Sequence, residues 1–402
     1  MPGRAPTAVV KIGYRFPWRS GNRFELLIDG PAFFARMLAA IDSAHRHVLL
    51  EMYLFESGAV ADRFIEALVR AARRGVVVKV LLDDFGARGL EPRDRQRLAA
   101  GGVDVVSYNA LGWRKWLRNL FRDHRKLLLA DGEIAFIGGA GVTDAFDPRR
   151  EPDQRWRETM LEIRGPVVAD LHELFAGTWL DCTHGPLRMA APLVEPRPDG
   201  QRGRVVASGG LHSAEITRSV IHRVSAARSR VWIATAYFVP SWKLRRALRR
   251  AARRGVDVRL LLPGSWTDHP SVRHAGRRFY STLLRSGVRI LEFQPRFLHA
   301  KTVLCDDWAS IGSSNLDRWN LRWNLEANQE VDDARFAREV EAMFERDFGQ
   351  SAEFEYAAWE RRSWRERALE FIGGTVDRWL DRLRRPGTRR ARGSDRAHPP
   401  RG

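Results

Sequence analysis

Cysteine is almost missing from this chain, with two in 402 residues, Cys182 and Cys305. Two thiols so far apart give no disulfide framework and point to a reducing compartment such as the cytosol. Long apolar runs are missing too. The longest, VWIATAYFVP at 231–240, falls well short of the roughly 20 residues that span a bilayer, and residues 1–20 lack the apolar stretch of a signal peptide. The expectation is a soluble or surface-bound protein without a signal peptide or transmembrane helix. Acidic residues are in deficit, 49 against 68 Lys and Arg, which leaves a formal net charge of +19. Such a surface is drawn to anionic lipid or to nucleic acid, and charge alone does not separate the two. Lysine itself is scarce, with six among those 68 basic residues.

Two of the six lysines stand in one repeated pattern. His124, Lys126 and Asp131 (HRKLLLAD) and His299, Lys301 and Asp306 (HAKTVLCD) both read H-x-K-x4-D. From this composition the coincidence is roughly one in ten thousand, well below the usual false-positive risk of a short motif. Gly312-Ser313-Ser314-Asn315 follows the second copy, and Gly138-Gly139-Ala140-Gly141 follows the first.

These residue types suit a phosphodiester. Imidazole titrates near neutrality. Two of them facing one phosphorus split the reaction: one forms a covalent phosphohistidine, while the other protonates the leaving oxygen and then deprotonates the incoming hydroxyl. Two lysines supply fixed positive charge where phosphoryl charge develops. Ser313 and Asn315 are candidates to hydrogen-bond the remaining oxygens. The chemistry calls for no metal and no cofactor.

The pattern between the motifs is α/β. Helices are expected at 32–44, 61–74 and 93–100, alternating with strands at 22–27, 47–55, 76–82 and 103–108. The second half repeats the order, with helices at 214–227, 241–254 and 277–286 and strands at 230–238, 256–262 and 288–293. AARRGV occurs at 71–76 and again at 251–256, Tyr53 matches Tyr237, and His124 matches His299. Similar offsets mean duplication, hence a pseudo-two-fold protein with the site in the seam between its halves. The expected organisation is a basic lead-in at 1–24, a first domain at 25–197, a second at 198–350 and a C-terminal segment at 351–402. The Pro- and Gly-bearing stretch 190–203 divides the two halves.

A duplicated H-x-K-x4-D followed by G-S-x-N resembles the phospholipase D superfamily. The second copy, with NLEAN at 324–328, looks most similar to bacterial cardiolipin synthases of the short form. The resemblance spans about residues 20–350 and implies two tandem phospholipase D-like repeats, each a mixed β-sheet flanked by helices. It implies that His124 is the nucleophile and His299 the acid and base, and that an acidic residue holds each imidazole, Glu158 for His124 and Glu326 for His299. Asp131 and Asp306 complete the triplets and are expected to orient strands or bond across the seam rather than move protons. The first copy departs from the pattern at Gly138–Gly141, where backbone N–H groups are expected to replace the missing Ser and Asn.

Two stretches bear on the partner. GWRKWLRNLF at 112–121 mixes indoles with basic residues, as an interfacial segment does, or as a helix packed on the body. Residues 364–383 have apolar positions at helical steps among arginines, and the tail beyond Pro386 reads as disordered. His45, His47, His172 and His222 have no partner motif and read as ordinary core or surface residues. His269 is a candidate substrate contact. The expected activity is transfer of a phosphatidyl group to phosphatidylglycerol at the cytoplasmic membrane face. The alternative is a phosphodiesterase, lipid hydrolase or nuclease, using the same paired site. Anionic phospholipid is favoured over nucleic acid as partner. Donor, acceptor and oligomeric state are not legible.

Overall fold

The computed structural model describes residues 15–147, 149–189, 194–209, 215–317 and 323–362. The first half runs β1 (Arg19–Ile28), α1 (Asp29–Asp42), β2 (His47–Met52), α2 (Ala59–Arg73), β3 (Val77–Asp83), α3 (Pro92–Ala100), β4 (Asp104–Tyr108), β5 (Lys126–Ala130), β6 (Ile134–Gly138), β7 (Thr159–Arg164) and α4 (Val167–Thr183). The second runs β8 (Gln201–Gly209), α5 (Glu215–Ala226), β9 (Arg230–Ala234), α6 (Trp242–Arg253), β10 (Asp257–Pro263), α7 (Pro270–Arg277), α8 (Tyr280–Leu284), β11 (Arg289–Phe293), β12 (Thr302–Cys305), β13 (Trp308–Gly312), β14 (Leu325–Asp332) and α9 (Ala334–Phe348). β15 (Ser351–Phe354) and α10 (Tyr356–Glu360) follow. Apolar runs without alternation make the inner strands. β2, β5, β6, β12 and β13 are buried at every position, as strands covered on both faces must be.

All fifteen strands form one sheet, ordered β15-β11-β10-β9-β12-β13-β14-β8-β1-β7-β6-β5-β2-β3-β4. Outward from the β1–β8 junction the first half reads 1-7-6-5-2-3-4 and the second 8-14-13-12-9-10-11, so each of β1–β7 has a counterpart seven places on, and β15 is added at the outer edge of the second half. In each half three strands are parallel, β2-β3-β4 and β9-β10-β11, and the rest antiparallel. The expected duplication is therefore present strand by strand.

Helices α1–α3 cover one apolar cluster on the first half, and α5, α6, α8 and α10 cover another on the second. The third cluster belongs to both. Leu127, Ile137 and Leu161 of the first half meet Leu304, Ile311 and Val331 of the second, with Phe175 of α4 and Phe344 of α9. Separating the halves would bare this common core at about 25 cal/mol per Å2 of apolar surface, so they hold one another in register.

The differences from expectation are local. Both strands expected to run on to Phe55 and Phe238 stop early, at Met52 and Ala234, where pairing with the motif strands ends at Met52–Lys126 and Ala234–Thr302. The freed residues carry Tyr53 against the His124 ring and Tyr237 into the matching place of the second half. The helix expected at 277–286 is the shorter α8, and α7 ahead of it was not expected. β1 begins inside the expected lead-in, at Arg19, and β8 begins inside the expected linker. Ser351–Glu360 joins the second half: β15 pairs with β11, and buried Trp359 packs on Tyr280 and Phe354. The amphipathic stretch 364–383 and the tail lie outside the described residues. Cys182 and Cys305 are free thiols. No helix among the described residues is long and apolar enough to cross a membrane.

Candidate active site

His124 stands two residues before β5 and His299 three before β12, at the end of the sheet where β2 and β9 finish. Each lead-in is stitched to the opposite half by backbone. The His124 N–H donates to the Leu325 carbonyl at 2.9 Å and the Leu325 N–H to the Arg122 carbonyl at 2.8 Å. The symmetric pair is the His299 N–H to the Arg157 carbonyl and the Arg157 N–H to the Phe297 carbonyl, both at 2.8 Å. Two short parallel bridges, Asp123–Leu325 and Arg157–Leu298, result.

This stitching exchanges the carboxylates. His124 Nδ1 lies 3.0 Å from Glu326 Oε1 and 3.1 Å from Oε2, and His299 Nδ1 lies 2.5 Å from Glu158 Oε2. The pairing expected within each half, Glu158 with His124 and Glu326 with His299, is wrong. The strand order gives the reason. β6 lies between β5 and β7, so the carboxylate of the same half is two strands away, about 10 Å, whereas the bridged strand from the other half is adjacent. With Nδ1–H directed at a carboxylate, each Nε2 is left bare for phosphorus.

Each carboxylate has its own support. Glu326 accepts from Ser313 Oγ at 2.5 Å, and Glu158 accepts from the Thr159 N–H at 2.8 Å and from Lys301 Nζ at 3.4 Å. Ser313 therefore binds the carboxylate rather than standing free for phosphate, which corrects its expected role. Asn315 differs: its Oδ1 is 3.4 Å from Thr235 Oγ1, while its buried Nδ2 has no partner among the described residues, as a donor to a phosphate oxygen would. Gly139 is the first-half counterpart of Ser313. A Cβ there would sit 2.2 Å from Glu158 Oε2, so the carboxylate occupies the space a serine would need. Nor does the Gly139 N–H wait for phosphate, since it donates to the Thr159 carbonyl at 3.3 Å.

Lys126 Nζ donates to the His124 carbonyl at 2.6 Å and lies 5.0 Å over the Tyr53 ring. Lys301 Nζ donates to the His299 carbonyl and lies 2.9 Å from His299 Nδ1. Burial pushes Lys126 down to about 7 and lowers Lys301 as well, against the pull of Glu326 and Glu158 respectively. Burial also lowers His124, with Glu326 opposing, and together with Lys301 and Lys126 it holds His299 well below the ordinary imidazole range. Burial raises Glu158, with Lys301 opposing. The charge of each lysine reaches the histidine of the other half, so the four groups lie close to one another. The imidazoles are about one-tenth exposed, 11% and 10%.

The motif aspartates sit at the far ends of β5 and β12, away from the histidines. Asp131 accepts from the N–H groups of His45, Arg46 and His47 at 2.7–2.9 Å, and Asp306 from those of Arg228, Ser229 and Arg230 at 2.9–3.0 Å. Both have left-handed backbone, φ 54° and 49°, which aspartate tolerates. They clip the β5–β6 and β12–β13 turns to the chain entering β2 and β9. Each bonds within its own half, so neither crosses the seam and neither belongs to the reacting centre.

Aromatic rings wall the cavity. Tyr53 lies 4.6 Å from the His124 ring, and Trp156, Phe297 and Phe146 lie 5.1, 5.7 and 5.9 Å from that of His299. Repeat position had singled out Tyr53 and Tyr237 without giving them a role, and Trp156 was missed because nothing local marks it. Thr159 and Thr302, hydroxyls 3.1 Å apart, join the halves beneath the histidines. His47 and His172 pack ring to ring at 5.9 Å outside the site. His45 and His222 are exposed on the surface.

Exposed aromatic residues of both halves follow strands at the end of the sheet that carries the histidines. Phe85 and Trp113 follow β3 and β4, with Trp116 one turn on, while Trp242 and Trp266 follow β9 and β10. Their exposures are 47, 86, 80, 60 and 61%. Arg88 and Arg246 lie over Phe85 and Trp242, at 5.5 and 5.1 Å. Trp113 and Trp116 are largely exposed on a 3-10 helix, Trp113–Leu120.

Comparisons with known proteins agree with this geometry. A family model described as cardiolipin synthase, PLD-like domain, matches residues 37–179 and 220–348, one segment around each motif. Cardiolipin synthase A of Pseudomonas aeruginosa (strain LESB58) is 39% identical over 370 residues, covering 90% of this chain and 74% of that protein. Cardiolipin synthase A of Pseudomonas entomophila is 38% identical over 355 residues, covering 86% and 72%. Among solved structures, phosphatidylserine synthase of Haemophilus influenzae superposes with a TM-score of 0.65 at 14% identity, over 90% of this chain and 94% of that one. Polyphosphate kinase of Porphyromonas gingivalis superposes with a TM-score of 0.57 at 16% identity, over 89% and 53%. At those identities the two structures speak for the fold alone.

Proposed function

The chain belongs to the cardiolipin synthase family of phospholipase D-like enzymes, the phosphatidyltransferases of that superfamily, and from that premise we propose that it joins two phosphatidylglycerol molecules into cardiolipin and releases glycerol. His124 Nε2 attacks the phosphorus of the donor lipid, the bond from phosphorus to the glycerol oxygen breaks, and His299 gives that oxygen its proton. His299 then takes the proton of the acceptor hydroxyl, whose oxygen attacks phosphorus and displaces His124. Lys126, Lys301 and the Asn315 amide stabilise the charge that gathers on the phosphoryl oxygens.

The observation that carries this reading is the pair of imidazoles, each tied at Nδ1 by a carboxylate from the other half, with both lysines buried beside them. The aromatic and basic rim favours lipid over nucleic acid. Indoles settle among headgroups, and about 1 kcal/mol for each Lys or Arg near an anionic surface holds the mouth against it. The enzyme then works as a peripheral protein on the cytoplasmic membrane face. Purified protein given phosphatidylglycerol vesicles, with products followed by mass spectrometry, is expected to form cardiolipin and glycerol in equal amounts and to leave plasmid DNA intact. Plasmid nicking with unchanged lipid would instead make it a nuclease.

Its pH profile follows from the shifted groups. His124, the nucleophile, must be neutral and binds its proton less tightly than usual, so the rising limb of kcat/KM is expected below pH 6.5, while His299 must carry the proton it gives to glycerol and so contributes to the fall rather than the rise. Lys126 keeps its charge only up to about pH 7, so kcat/KM falls above that. Lys126→Arg keeps the charge, and the Lys126 part of the falling limb should vanish and leave the His299 part, even though overall activity drops.

A further inference from the structure

Tyr237 and Tyr53 hold matching places, yet their surroundings differ. Tyr53 lies against His124 with the Lys126 ammonium over its face, and its hydroxyl has no hydrogen bond among the described residues. Tyr237 donates its hydroxyl to Asp268 Oδ2 at 2.5 Å. His269 Nε2 lies 3.7 Å from the same oxygen, and its ring is 5.6 Å from that of Tyr237.

The connection that carries these residues, between β10 and α7, is built to stay in place. The His269 N–H donates to Thr267 Oγ1 at 3.3 Å, and Pro270 opens α7. At Gly276 of α7 a Cβ would stand 2.7 Å from the Phe238 carbonyl, so the helix seats directly on the segment that bears Tyr237. The Asp268 side chain is about one-quarter exposed and that of His269 well over half, at 26% and 61%, so the group is open to solvent. It lies on the His299 side, where the Asp268 charge reaches both His299 and Lys301.

A carboxylate repels a phosphodiester and accepts hydrogen bonds from alcohols. Tyr237 takes up Oδ2, and Oδ1 has no partner among the described residues. Building on the transfer reaction proposed above, we propose that Asp268, held by Tyr237 and flanked by His269, recognises the acceptor, taking a hydrogen bond from the second hydroxyl of a vicinal diol whose first hydroxyl is delivered to His299. The ligand class is the uncharged vicinal-diol end of a polyol headgroup. In the step it serves, the first hydroxyl gives its proton to His299 Nε2, its oxygen bonds to phosphorus, and the phosphorus–nitrogen bond to His124 breaks. The His124 side has no equivalent carboxylate on its tyrosine, which leaves that side to the phosphatidyl group.

The test is an acceptor competition with the full chain and phosphatidylglycerol vesicles, offering perdeuterated glycerol and perdeuterated 1-propanol and counting both labelled lipids by mass spectrometry. The wild type is expected to favour glycerol, and Asp268→Asn to lower the glycerol-to-propanol ratio about tenfold or more, as loss of one hydrogen bond to a charged group does. Tyr237→Phe, which frees the carboxylate, is expected to lower the same ratio and serves if Asp268→Asn does not fold. An unchanged ratio in a folded variant, with both acceptors slowed alike, would reduce the group to a support for His299 and overturn the proposal. Wild type that yields only phosphatidic acid would overturn the transfer reading and this inference together, a result distinct from an unchanged ratio.

Discussion

Alanine in place of His299 is expected to lower cardiolipin formation by about 10^4-fold, and alanine in place of His124 by at least as much. The losses are large because neither half holds a complete set: one imidazole has no partner to protonate the leaving glycerol, and the other has no nucleophile to protect. The double variant should be scarcely worse than either single one, since residues that act as a unit are not additive. Mass spectrometry of lipids from phosphatidylglycerol vesicles reads all three. Residual activity within tenfold of wild type in either single variant would mean that the histidines do not share one phosphorus.

The second large effect separates the two carboxylates. Glu326→Gln and Glu158→Gln are each expected to cost about 10^3-fold in turnover, as an orienting carboxylate does in other histidine-dependent sites. Their local signatures should be crossed. In 15N spectra of histidine-labelled protein, Glu326→Gln should shift the ring nitrogens of His124, 202 residues away in sequence, and spare those of His299. Glu158→Gln should shift His299, 141 residues away. Glu158 also accepts a hydrogen bond from Lys301 Nζ, which no bond from Lys126 to Glu326 matches among the described residues, so that variant should lose more phosphate affinity of the two.

The repeat and its catalytic pairs were legible because they are local. Strand and helix periodicity placed α2, β3, α6 and β10 within two residues, and the scarcity of lysine made two copies of H-x-K-x4-D stand out. The partner of each histidine was not legible, because sequence proximity points the wrong way. Glu158 lies 34 residues from His124, yet the hairpin strand β6 holds them apart, and only the backbone stitching at Leu325 and Arg157 brings the other half's carboxylate alongside. β7 and β14, which bear that stitching, were not read as strands at all. Gly139 is a similar case. As a departure from G-S-x-N it looked like a lost phosphate contact, and the structure makes it room for Glu158. Ser313 looked like a phosphate ligand, and its hydroxyl serves Glu326 instead.

The account rests on two imidazoles, brought from opposite halves, doing different work on one phosphorus. A p-nitrophenyl phosphatidyl ester tests it most directly, because p-nitrophenolate leaves without needing a proton. Mixed rapidly with this ester, His299→Ala should release about one equivalent of nitrophenolate per enzyme and then stall with the phosphatidyl group on His124, whereas His124→Ala should give no burst. A burst from His124→Ala with none from His299→Ala, or steady turnover by either variant, would contradict it.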